Sequence, residues 1–170
     1  IWLNWQRNGL QLYDRARNEM TSLRNLNLPE MSVIRPSRKN ESVWVAQKYY
    51  STAYRLTRDQ GRVSVEDKLD LEAVLKDSCP ILDICEDNGG IVWMLTPRHL
   101  AARLTDVGKT IAVADIKSPT AITQSTKTGT MLCAAGHSLY RCKAEERYLT
   151  CSTAAALDML SDNERVIAMS

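Results

Sequence analysis

The sequence predicts an α+β domain: N-terminal amphipathic helices, then a mixed sheet containing a three-stranded antiparallel meander, then a helix and a closing strand. Three observations carry this expectation. Apolar residues recur at helical spacing over residues 1–24, Ser64 and Asp67 form an S-x-x-D signal, and residues 130–151 alternate with period two.

In the first segment Trp2, Trp5, Leu12, Tyr13, Ala16, Met20 and Leu23 recur at three- and four-residue steps. On a helix that spacing makes one apolar stripe. Arg7, Asp14, Arg15, Arg17 and Glu19 mostly lie off it. Residues 26–40 contain Pro29 and Pro36 and read as an extended connector with a short strand at 31–34. The expected division is therefore 1–40, helix and connector, and 41–170, a mixed globular domain.

Residues 41–59 carry two signals. Asn40 can cap a helix, Ala46, Tyr49, Tyr50, Ala53 and Leu56 fit helical steps, and Gly61 stands where a C′ glycine belongs. Val43, Val45, Tyr49 and Tyr50 favour strands. Alternation fails at Gln47 and Lys48, which selects helix. The next helix starts from the Ser64–Asp67 capping pattern, shows Leu71, Val74 and Leu75 on one face and stops at Pro80. A short strand over 81–85, a turn at Asp87-Asn88-Gly89-Gly90 and a strand over 91–95 follow. Thr96 as N-cap and Pro97 at N1 predict a helix to about residue 106. Residues 109–116 read as a strand, and the Ser/Thr-rich residues 117–129 as a loop.

The meander strands are 130–134, 139–143 and 148–151. Centring each turn in its loop opposes Cys133 to Tyr140 and Met131 to Cys142, then Cys142 to Leu149 and Tyr140 to Cys151. Side chains two apart share a face, so Met131, Cys133, Tyr140, Cys142, Leu149 and Cys151 form the core face. In that register Cys133 and Cys151 stand roughly 10 Å apart, two strand spacings, and the three thiols are small buried hydrophobes. Ser152 caps a last helix over 153–160, and 165–169 closes the sheet.

Composition bounds the function. The 170 residues are 44% apolar and 25% charged with a net charge of +2, which places the chain among ordinary folded domains and against a dedicated nucleic-acid binder. Basic residues gather only at Arg35, Arg38 and Lys39 and at Arg141, Lys143 and Arg147. No apolar run is long enough to span a bilayer as a helix. The first residue is Ile, so a processed product or a fragment is expected. Trp2 and Trp5 leave room for a membrane anchor preceding Ile1. The five cysteines include no CxxC, and reduced thiols point toward the cytoplasm, with the compartment otherwise open.

Two functions from different classes follow. The first is a non-enzymatic interaction or assembly module of a larger complex. Helix 1 would dock through Trp2, Trp5, Leu12, Ala16 and Met20 onto a protein partner or a second copy, with no cofactor. The alternative is a metal-dependent nuclease of PD-(D/E)xK type. Asp115 and Lys117 would stand two apart at a strand end and Asp106 or Asp83 would supply the second acid, the metal stabilising charge on the attacked phosphate. His99 and His137 have no neighbour at nucleophile or metal-ligand spacing.

Overall fold

The computed structural model describes residues 1–5, 9–28, 30–47, 49–104, 110–145 and 148–156. Among them the chain is nearly all β, in four antiparallel sheets whose strands follow sequence order. The α+β expectation, with its N-terminal amphipathic helices, is overturned. The chain divides into two compact units, Ile1–Ile81 and Leu82–Ser170.

In the first unit, β1 (Trp2–Trp5), β2 (Gly9–Asp14) and β3 (Glu19–Ser22) form one meander. Two left-handed residues interrupt the expected helix: Gly9 at φ 70° and Asn18 at φ 53°. Asp14 closes the turn between β2 and β3, its Oδ1 accepting from the N–H of Ala16 at 2.9 Å and of Arg17 at 3.3 Å. The apolar residues then sort by strand parity. Leu10 and Leu12 are buried on one face, whereas Ala16 is exposed in the turn and Met20 is 49% exposed on β3. The helical spacing was a coincidence of three short strands and a turn.

The second sheet comprises β4 (Met31–Pro36), β5 (Ser42–Gln47), β6 (Thr52–Asp59) and β7 (Arg62–Asp70). The strand expected at 31–34 is present. The helix expected over 41–59 is the β5–β6 hairpin. Glu41 and Tyr49 take positive φ, and Val43 through Ala46 are buried. Tyr49 and Tyr50 project from the connecting turn instead of lining a helix. The capping signal at Ser64 is also overridden, and only α1 (Glu72–Leu75) remains of that helix. A cap contributes about 1 kcal/mol. Here it competes with a ladder along the whole of β6, reinforced by Arg55 against Glu66 and Asp67 and by Thr57 Oγ1 donating to Glu66 at 2.6 Å. Leu10, Leu12, Leu23, Met31, Val43, Val45 and Leu56 form the core of this unit.

The β6–β7 turn is Gln60-Gly61, both at positive φ (45° and 81°), the I′ pattern that matches strand twist. A Cβ on Gly61 would meet nothing within 4 Å. The cost of Gly61→Ala is therefore conformational, about 1–2 kcal/mol, and is expected as a lower denaturation midpoint with an unchanged slope. A second prediction concerns acid. Arg58 donates to Asp14 Oδ2 at 2.7 Å and holds that carboxyl below its ordinary 3.8. A depressed folded pKa gives stability that is present above the unfolded value and lost as pH falls through the folded one. Melting temperatures should fall less steeply for Asp14→Asn than for wild type below about pH 4; equal slopes would exclude the pair from acid unfolding.

The second unit begins with β8 (Asp83–Glu86), β9 (Val92–Leu95), β10 (His99–Arg103) and β11 (Ile111–Asp115). It continues with β12 (Pro119–Gln124), β13 (Met131–Ala135), β14 (Ser138–Ala144) and β15 (Leu149–Ala156). The helix expected after Thr96 is β10. Thr96 does cap, accepting from the N–H of His99 at 3.0 Å, but it caps the β9–β10 turn. The expected loop over 117–129 contains β12, so the meander has four strands.

The β13–β14 register is the expected one, with Cys133 opposite Tyr140 and Met131 opposite Cys142. The β14–β15 register differs by two residues. Cys142 opposes Cys151, Tyr140 opposes Thr153, and Ala144 opposes Leu149. The turn is the cause. The N–H of Glu145 donates to Tyr148 O at 2.9 Å, so the hairpin closes one residue later than a centred turn would. A two-residue slip preserves the face, and the predicted core face stands. Met131, Cys133 and Cys142 lie in the core with Trp93, Leu95, Leu100, Ala102 and Ile122, and Tyr140, Leu149 and Cys151 pack against it. The helix expected over 153–160 is strand to Ala156; the closing strand at 165–169 lies outside the described residues.

Candidate functional site

A groove of about 370 Å³ opens in the second unit. Its lining includes Asp87 from the β8–β9 turn, Trp93 from β9, Thr128 and Thr130 from the β12–β13 turn, and Arg141 and Lys143 from β14. The volume lies in the range of small-ligand sites.

The β8–β9 turn forms one wall. Asp87 Oδ1 accepts from the N–H of Gly89 at 2.8 Å and of Ile91 at 3.0 Å, and Oδ2 accepts from Trp93 Nε1 at 2.9 Å. One carboxylate thereby shapes the turn and fixes the indole. Gly90, at φ 80°, lets the chain reverse there. The β12–β13 turn forms the opposite wall. Gln124 ties the two: its Oε1 accepts from the N–H of Asn88 at 3.1 Å and its Nε2 donates to Gly129 O at 2.8 Å.

The outward face of β14 supplies the charge. Arg141 is exposed, and Lys143 Nζ lies 2.8 Å from Glu145, whose hydrogen bond raises the lysine pKa. Asp87 is engaged by three N–H groups, and the exposed Arg141 and Lys143 share the lining with the buried Trp93 and Met131. Such a site can meet polar or anionic groups through its two exposed cations.

The residues singled out in the sequence are dispersed. Trp2 is half-buried on β1 opposite Leu12, Leu12 is core, Ala16 is in a turn and Met20 is exposed on β3; Trp5 is on β1 opposite Gly9. No helix presents them together. Asp115 ends β11 with its side chain 93% exposed, 3.4 Å from His99 Nε2, and Lys117 lies in the following bend. Asp106 lies outside the described residues. Among the described residues no three His, Cys, Asp or Glu side chains come together as metal ligands. Thr96 Oγ1 stands 3.3 Å from His99 Nδ1, which lines up Thr96, His99 and Asp115. That hydroxyl is buried and occupied by the turn it caps, so the line is turn chemistry.

Sequence reasoning noted the cationic cluster and the Asp87 turn but did not join them. The available signal was an acid six residues before a tryptophan, across a glycine pair.

No protein-family model matches the chain, and no curated protein matches it. Its fold is similar to part of the extracellular domain of a candidate hybrid two component system, BT3049, from B. thetaiotaomicron. The TM-score is 0.62 at 17% identity, over 89% of this chain and 22% of that one. The extracellular domain of a second such system from that organism, BT4673, gives a TM-score of 0.60 at 19% identity, over 91% of this chain and 21% of that one. The chain thus spans about a fifth of the length of these neighbours. At such identities the likeness shows the fold alone.

Proposed function

We propose that this chain is part of a sensory or interaction region of a signalling receptor, lying outside the cell and working by contact. The observation that carries the reading is the shared fold, over about nine-tenths of the chain, with the extracellular domains of two candidate two component systems. Serial four-stranded antiparallel meanders support it, because they are the repeating unit of β-propellers, scaffolds that carry variable turns on rigid sheets. In this reading the unit 2 groove is the contact site, with Arg141 and Lys143 meeting the ligand or partner at its rim. The expectation of an interaction module is retained in this form. The docking helix is replaced by the groove, and the reduced-cytoplasm reading by an outward location.

The test uses the full-length protein in its own host. Arg141→Glu with Lys143→Glu changes two exposed side chains, so stability should move within about 0.5 kcal/mol for each change. The response to the stimulus that activates wild type should be lost. An unchanged response with the rim charge reversed would exclude the groove as the contact site.

A further inference from the structure

We infer that Cys142 and Cys151 are a disulfide-forming pair, which staples the edge strand β15 to β14 through thiol–disulfide exchange with an external disulfide. The inference rests on register and stands independently of the outward-facing reading.

The two residues are direct cross-strand partners. The phase of the ladder follows from its turn. Glu145 and Tyr148 form a hydrogen-bonded pair, and such pairs alternate with non-hydrogen-bonded ones along an antiparallel ladder. Counting back, Ala144–Leu149 is non-hydrogen-bonded, Lys143–Thr150 is hydrogen-bonded, and Cys142–Cys151 is non-hydrogen-bonded. In that kind of pair the Cα atoms stand about 4.5 Å apart and the side chains approach most closely. This lies at the near end of the disulfide range, about 4.4–6.8 Å. Both side chains belong to the same core face, so no rotation of either strand is needed. All five cysteines carry free thiols in this structure.

Local chemistry assigns the roles. The Cys142 thiol donates to Cys151, which raises the Cys142 pKa and lowers that of Cys151. Cys151 is also the more exposed of the two, whereas Cys142 is 2% exposed. Cys151 is therefore the attacking thiolate and Cys142 the resolving thiol. Cys133 opposes Tyr140, is fully buried, and has its thiol pushed up to about 12 by that burial.

With a small-molecule disulfide such as oxidised glutathione, the Cys151 thiolate attacks one sulfur. The small-molecule S–S bond breaks, one glutathione thiol leaves and a mixed disulfide forms. Cys142 then gives up its proton and attacks the Cys151 sulfur, forming the intramolecular S–S bond and expelling the second glutathione thiol. The protein loses two electrons, the glutathione disulfide gains them, and the two cysteine protons end on the two leaving thiols. An oxidising compartment would keep the bond closed.

The test is redox titration of the full chain in glutathione buffers of graded composition, followed by alkylation and tryptic digestion without reduction. Cleavage after Lys143 and Arg147 places Cys142 and Cys151 on separate peptides. A linked species joining them should grow as the buffer becomes oxidising and vanish on reduction. Cys133 should be alkylated only after denaturation. Cys151→Ser should remove the linked species; if that variant fails to fold, the wild-type titration still decides. Both thiols free at every buffer ratio, or a link from Cys142 to Cys133 in place of Cys151, would overturn the inference.

Discussion

Trp93→Ala should lower unfolding free energy by about 3–5 kcal/mol, the range for removing a buried aromatic side chain. Trp93 is 2% exposed and sits in the core of the second unit with Leu95, Leu100 and Met131. It has a second role, because its Nε1 donates to Asp87 and thereby braces the turn that walls the groove. Trp93→Phe separates the two roles. It keeps most of the buried ring and removes the hydrogen bond to a carboxylate, and should cost about 1.5–3 kcal/mol for the bond, in addition to the volume lost. Denaturant titration reads both variants as shifts in midpoint at constant slope. A Trp93→Ala loss below about 1 kcal/mol would mean that this core is not packed as described.

The second large effect distinguishes strand from helix at the N-terminus. Leu12→Ala should cost about 2–5 kcal/mol, whereas Met20→Ala should stay within about 0.5 kcal/mol. Leu12 is 6% exposed in the core of the first unit, and Met20 is 49% exposed on β3. On a helix, residues 12, 16 and 20 would share one face and the two losses would be comparable. Similar losses at both positions would therefore restore the helix and remove the β1–β2–β3 meander.

These contrasts explain which parts of the fold were legible. The face of the 130–151 meander could be read because alternation depends on parity alone, and the two-residue slip between β14 and β15 preserved parity. The slip itself could not be read, since it depends on where the turn closes. The helices failed where short-range coincidence met long-range pairing. Thr96 and Pro97 are a sound start signal, but His99–Arg103 pairs with β9 on one side and β11 on the other. Each residue of a central strand makes ladder contacts that a cap cannot match.

One signal was present and missed. The turn into the second strand of each sheet carries a positive-φ residue, at Gly9, Glu41, Gly90 and Gly129, followed by an apolar run that alternates in β2 and is nearly continuous in β5, β9 and β13. Recurrence at intervals of roughly 30–50 residues is the mark of a repeat architecture. Three glycines and one glutamate obscured it, as did unequal spacing. The groove was less legible than the fold, because its walls come from turns about 40 residues apart in the chain. Gln124 accepts from the backbone N–H of Asn88, a contact that no local pattern announces.

The central claim is that this chain faces outward. Its most direct test is protease digestion of the source organism's cells, with the plasma membrane sealed and its outer side accessible to the protease, followed by detection of fragments from this segment. The exposed Tyr49 and Tyr50 turn and the Ser125–Gly129 turn offer cleavage sites. The account predicts that the segment is cut in sealed cells while a cytoplasmic control protein stays intact. Cleavage that appears only after the plasma membrane is broken would place the chain inside the cell and contradict it.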